Sequence, residues 1–90
     1  MKIEWSAKSV KQLKKIQAKQ RAVIAQSVHE LHENLESNLN VKKLRNHHYD
    51  YRLRVGRYRV MFNVDRGVLI IEVMEVVKRD ERTYWSKSGH

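Results

Sequence analysis

The stretch Tyr51-Arg52-Leu53-Arg54-Val55-Gly56-Arg57-Tyr58-Arg59-Val60-Met61-Phe62-Asn63-Val64 alternates apolar and basic residues on both sides of a single glycine. Successive side chains on a strand point to opposite faces, so a period of two predicts two strands, Tyr49–Val55 and Tyr58–Val64, joined by a tight Gly56-Arg57 turn. Leu53, Val55, Tyr58, Val60, Phe62 and Val64 then supply the apolar positions. Arg52, Arg54, Arg57 and Arg59 are free to share the other face. Like charges gathered on one side of a hairpin repel one another. A polyanion would offset that repulsion, and the planar fork of a guanidinium matches phosphate oxygens, so the hairpin points to phosphate.

Around the hairpin the chain reads as one α+β domain spanning residues 1–90. Ile3–Trp5 is a short strand candidate. Ser6 is an N-cap candidate for a first helix, Ala7 to Ala18, with Val10, Leu13 and Ile16 or Gln17 along one side. Ile24, Val28, Leu31 and Leu35 fall at helical spacing and predict a second helix over 20–35, so that the Lys19-Gln20 junction makes a helical hairpin. Ser37 to Asp50 reads as a loop anchored by Leu39, Val41 and Leu44. Asp65-Arg66-Gly67 is a second turn, with Gly67 able to take positive φ. The strand that follows, Val68–Val77, is nearly continuous in apolar content, which predicts a central strand covered on both faces. Lys78 to Arg82 is a charged exit, and a short terminal helix starts at Thr83-Tyr84-Trp85. Two helices are therefore expected on one face of a mainly antiparallel sheet, with arginines lining the open face.

The 90 residues carry a formal charge of +9 and no cysteine. A charge of that size suits nucleic acid, an anionic membrane surface or an acidic protein partner. Lysines dominate the first half (Lys8, Lys11, Lys14, Lys15, Lys19) and arginines dominate the strands. Without cysteine neither a disulfide framework nor a thiolate metal site can form. The N-terminus lacks the apolar run of a signal peptide and no stretch would span a bilayer, so the expected location is the cytoplasm, away from any membrane.

Other constellations are weaker. His29-Glu30-Leu31-His32-Glu33 fails the zinc-helix spacing, because Glu33 stands where a second histidine is required, and an ordinary His29–Glu33 pair on a solvent face is the expectation. His47 and His48 precede the hairpin, and histidine as a residue type suits proton transfer beside a basic face. There is no nucleophile signature and no glycine-rich phosphate loop. The acids Asp65, Glu72, Glu75, Asp80 and Glu81 are scattered, without a Mg²⁺ cluster. Neither metal nor cofactor is expected. Metal-free cleavage of RNA is still open to such a chain, since the ribose 2′-hydroxyl can attack its own 3′ phosphate. The protein has to align that hydroxyl, stabilise the phosphorane and move two protons. Arginine serves the charge but stays protonated. Tyr84, beyond Lys78 and Arg79, is the proton-carrier candidate.

With YRLRVGRYRVMFNVD, LIIEVMEV and the ending KRDERTY in view, the chain resembles the RelE/ParE superfamily of type II toxins over nearly its whole length. The resemblance implies a RelE-like toxin that cleaves mRNA in the ribosomal A site. It also implies a cognate antitoxin, RelB-like or of another type, in a toxin–antitoxin hetero-oligomer. Its catalytic positions fall on Arg52, Arg54, Arg59, Arg79 and Tyr84, with Arg57, Lys78, Arg82, His47 and His48 as RNA-binding residues. RelE proper carries lysines where Arg52 and Arg54 stand, and one of them is a proposed general base. Here His47, His48, Tyr84 or Lys78 would have to replace it, or the rate would rest on charge stabilisation. The competing expectation is a ParE-like protein that binds DNA gyrase and cleaves nothing, which a shared fold cannot separate from a nuclease.

Overall fold

In the computed structural model, which describes residues 1–79, five strands form one sheet in the order β1-β5-β4-β3-β2. They are β1 (Lys2–Trp5), β2 (Val41–Lys43), β3 (Tyr51–Val55), β4 (Tyr58–Asp65) and β5 (Ile70–Lys78). All neighbours run antiparallel except β1, which lies parallel to β5. The helices are α1 (Ala7–Lys14), α2 (Ala18–His29) and the short α3 (Leu31–Asn34). Together they cover one face of the sheet, the α+β arrangement expected from the sequence.

The core lies between these layers. Ile24, Val28 and Leu31 from the helices meet Leu53, Val55, Val60, Phe62, Ile71, Val73 and Val76 from the strands, and each is buried. Tyr51 and Phe62, register partners on β3 and β4, stack with centroids 5.3 Å apart and planes 11° apart. Such cross-strand aromatic pairs hold register as well as burying area.

Several boundaries differ from the sequence reading. The first helix stops at Lys14, where Lys15 and Ile16 donate to the Gln12 and Leu13 carbonyls in a tightened last turn and Gln17 is extended. The helical break therefore falls at 15–17, not at Lys19-Gln20. The second helix divides at Glu30, so His29 and Glu33 do not pair. His32 Nε2 instead lies 3.5 Å from Glu33 Oε1, and its ring sits 4.9 Å from that of His29. The loop expected over 37–50 contains the edge strand β2, too short to show a period. In the second turn the positive φ belongs to Leu69 (59°), while Asp65 Oδ1 accepts from the amides of Gly67 and Val68. The expectation of a terminal helix from Thr83 falls outside the described residues.

β5 is a central strand, but it is not covered on both faces. Its run of apolar residues reads as continuous because a bulge changes the parity. Val60 faces Val76 and Met61 faces Glu75, yet the next β4 residue, Phe62, faces Val73, leaving Met74 as the extra residue. The inward positions therefore pass from Val76 to Val73 and Ile71, whereas Glu72 and Glu75 point to the open face.

β1 pairs with β5 only as far as Val73. Beyond it α1 supplies the partners. The Ser6 amide donates to the Val73 carbonyl, Ser6 Oγ donates to the Met74 carbonyl (2.9 Å), and Gln12 Oε1 accepts from the Val76 amide (2.6 Å). Ser6 Oγ also caps α1 by accepting from the Ser9 amide, as the sequence suggested. Removing the Gln12 acceptor leaves a partly buried amide without a partner. Gln12→Ala is expected to destabilise the fold by about 1–3 kcal/mol, read as a lowered urea midpoint with an unchanged slope.

Candidate nucleic-acid interface

The tight turn at Gly56 (φ 57°) and Arg57 fixes the register of the hairpin. Arg54 lies directly opposite Arg59, and Arg52 opposite Met61. Strand alternation puts all three arginines on the face away from the helices, because their neighbours Leu53 and Val60 are buried in the core. The ladder continues past β5, where the Arg79 amide donates to the Arg57 carbonyl. This places the Arg57–Arg79 pair two residues beyond the Arg59–Val77 pair, with the same parity as Arg59. β2 adds Lys42, whose register partner is Arg52.

The charges act on one another. Arg52 is pushed below the ordinary arginine value, first by burial and then by the positive charges of Arg54, Arg59 and Arg79. Each of those arginines therefore lies close enough to be felt at Arg52. Among the described residues, the ion pairs are Lys8–Glu75, His32–Glu33 and Arg66–Glu36, so no acid neutralises this cluster. Arg59 Nε is buried and has no hydrogen-bond partner among the described residues. A buried donor left unpaired costs about 1–3 kcal/mol, a cost that an anion seated against it would remove.

The remaining sequence candidates are placed as follows. Arg57 is exposed at the hairpin tip. Lys78 is exposed and faces Tyr58 in register, so alternation puts it on the opposite side of β5 from the arginines. His47 and His48 are exposed in a loop whose base is closed by a bond from the Leu44 amide to the Asp50 carbonyl (2.8 Å). Arg82 and Tyr84 lie outside the described residues.

Two residues that sequence reasoning passed over stand on this face. The Tyr49 hydroxyl donates to Glu75 Oε2 (2.8 Å), and Glu75 Oε1 lies 3.3 Å from Lys8 Nζ. The Tyr49 bond and then Lys8 hold the Glu75 carboxyl below its ordinary value of 4.5, against the opposing effect of burial. The same bond raises the Tyr49 phenol. The sequence pattern makes Tyr49 a strand residue and Glu75 one of several scattered acids, and their separation of 26 residues hides the bond between them.

Comparisons with known proteins agree with the fold. Residues 3–83 match the family model described as the ParE toxin of the type II toxin–antitoxin system parDE. The isolated RelE toxin of E. coli superposes with a TM-score of 0.75 at 19% identity, over 97% of this chain and 93% of that one. RelBE2, a toxin–antitoxin complex from Mycobacterium tuberculosis, gives 0.74 at 17%, over 87% and 96%. The RelB–RelE antitoxin–toxin complex of Methanococcus jannaschii gives 0.69 at 26%, over 90% and 95%. No curated protein sequence matches the chain.

Two outcomes follow from the charges on this face. Arg54→Gln is expected to raise stability by a few tenths to about 1 kcal/mol at low ionic strength by relieving the cross-strand repulsion, and the gain should fade in high salt as screening shortens. Equal urea midpoints of the two proteins at low salt would contradict it. Tyr49→Phe removes a bond that favours ionised Glu75. A depressed folded-state pKa stabilises the protein above the ordinary value and loses that contribution as pH falls through the folded one. The variant should therefore be about 1–2 kcal/mol less stable at neutral pH, with the gap to wild type narrowing below pH 4.5.

Proposed function

The chain belongs to the ParE toxin family of type II toxin–antitoxin systems, and on that footing we propose that it is a ribosome-dependent mRNA endonuclease that blocks translation. The observation that carries this reading is the Arg54–Arg59 register pair inside a cluster with no acidic counterpart among the described residues. A scissile phosphate on Arg52, Arg54, Arg59 and Arg79 would meet the forks that its oxygens require and would occupy the unpaired Arg59 Nε.

The reaction that suits these residues is transesterification within the RNA. The 2′-oxygen attacks the adjacent phosphorus, the bond to the 5′-oxygen breaks, and a 2′,3′-cyclic phosphate and a 5′-hydroxyl result. The guanidiniums stabilise the extra negative charge of the phosphorane, the largest contribution that fixed cations make to such a step. They neither accept nor supply the protons. That task falls to His47 or His48 of the loop or to Tyr84, which lies outside the described residues; Lys78, on the other side of β5 from the arginines, is removed from it. Arg57, exposed at the hairpin tip, extends the cationic track for the message, and Arg82 is assigned to RNA binding from the sequence alone. The partners in this reading are the ribosome carrying its mRNA and a cognate antitoxin. The antitoxin in this reading is an acidic or amphipathic segment that wraps the toxin, folds on binding, and covers the arginine face or displaces the tail around Tyr84. Among the described residues no helix is long and apolar enough to cross a membrane.

A gyrase-binding toxin without nuclease activity is the second reading. In its favour stands the family itself, which bears the ParE name. One experiment separates the two. Purified protein is added to a translating extract and mRNA ends are mapped by primer extension, with gyrase supercoiling assayed alongside. Cuts inside codons are expected, whereas intact mRNA with inhibited supercoiling would establish the rival. Arg59→Ala and Arg79→Ala should each lower cleavage by about 10²-fold or more, as loss of one preorganised donor does elsewhere, with thermal unfolding retained. Normal cleavage by both variants would remove the arginines from the mechanism.

A further inference from the structure

Tyr49 is an aromatic side chain on the solvent face of the sheet. It is not among the residues that pack against the core. Its ring is nevertheless fixed at both ends. On the backbone side, Leu44 donates to the Asp50 carbonyl and the Asp50 amide donates to Asn63 Oδ1 on β4 (2.8 Å). At the far end the hydroxyl reaches across to Glu75 on β5, a carboxylate that Lys8 holds in place. The ring therefore crosses the open face of β4 near Met61, whose register partners are Glu75 on one side and Arg52 on the other.

Two further rings extend this surface. The His47 ring lies 5.7 Å from that of Tyr49 at 44°, and the His48 ring 6.5 Å away at 63°. Both histidines are exposed and Tyr49 is half-buried, so the group is open to solvent. The next step along the open face toward the hairpin turn, from Met61 to Arg59, covers two strand residues, or about 7 Å. The base of a nucleotide whose phosphate rests on the arginines can reach across that interval.

We propose that Tyr49, flanked by His47 and His48, forms a stacking subsite for an unpaired nucleobase beside the phosphate-binding arginines. The subsite rests on the RNA reading of the arginine face and adds to it the form of nucleic acid taken. Every base has a π-face, so a fixed ring accepts any of the four, but only from a strand whose bases are not paired. Because the hydroxyl and the backbone already immobilise the ring, little side-chain freedom is lost when a base settles on it. The phenol serves as an anchor that orients the ring, and the ring itself makes the contact.

The test uses two fluorescein-labelled probes of equal length, a 2′-O-methyl oligoadenylate, which cannot be cleaved, and a 2′-O-methyl abasic strand with the same phosphates. Binding is read by anisotropy, and far-UV circular dichroism melts accompany each variant. Tyr49→Leu is expected to weaken the oligoadenylate by about 5- to 100-fold and to leave the abasic strand unchanged. Tyr49→Phe should stay within about threefold of wild type and Tyr49→Trp should bind more tightly, because both keep a ring. The Phe and Trp variants decide the matter if the Leu variant fails to fold. Arg59→Ala should weaken both probes alike. The proposal is overturned if wild type binds the two probes equally or binds neither. It is overturned too if Tyr49→Leu keeps full affinity or loses both probes equally, or if Tyr49→Phe and Tyr49→Trp bind the oligoadenylate no better than the abasic strand. Base-dependent binding by a protein that makes no cuts in mRNA would end the nuclease reading and leave the subsite standing. Wild-type cuts with an indifferent Tyr49→Leu would do the reverse.

Discussion

The pairing of β3 with β4 is the constraint on which everything else in this molecule depends. Register in a hairpin is set by its turn, and the Gly56-Arg57 turn makes Val55 and Tyr58 partners. From that pair inward, every second residue is committed to the core and every other one to solvent. Slipping the pairing by a single residue would drive arginines under the helices and expose Leu53, Val60 and Phe62. The buried half of the hairpin and its charged half are thus one decision seen from two sides. The stacked Tyr51–Phe62 pair enforces it from within.

The same pairing sets an opposition between stability and use. A sheet optimised only for stability would not oppose Arg54 to Arg59, nor bury Arg59 Nε without a partner. Both features raise the free energy of the isolated chain, and an anion bound there would relieve both. The core offsets the burden: ten buried apolar residues from α2, α3 and three strands lie beneath the charged face. Fixed cations on a rigid sheet also need no rearrangement as charge develops on a phosphate, which suits them to binding and stabilisation alike.

Much of this was legible in the sequence, and the omissions have physical causes. Alternation between Tyr51 and Val64 gave the hairpin, its inward set and the arginine face, because period two is a direct reading of side-chain direction. Ser6 was legible as a cap for the same local reason. The position of the helical break was not, since Gln17 carries no breaker signature, while Leu13 and Ile16 beside it pack against the core. β2 escaped because three residues cannot display a period. The Met74 bulge escaped because it is a property of two strands rather than of one. The meeting of Tyr49 and Glu75 escaped because they are 26 residues apart. What lay hidden was tertiary, and it concerned the site more than the fold.

The hand-over from β1 to α1 along β5 has one more consequence. A strand whose amides and carbonyls face solvent is a template on which another extended chain can grow. Ser6 and Gln12 occupy those groups on the stretch of β5 that β1 leaves uncovered, and they do so with side chains that cannot propagate a ladder. Lengthening of the sheet by a foreign segment is therefore closed off at that notch. It is confined to the outer rims of β1 and β2, and at β2 an incoming strand must lie alongside Lys42 and Lys43.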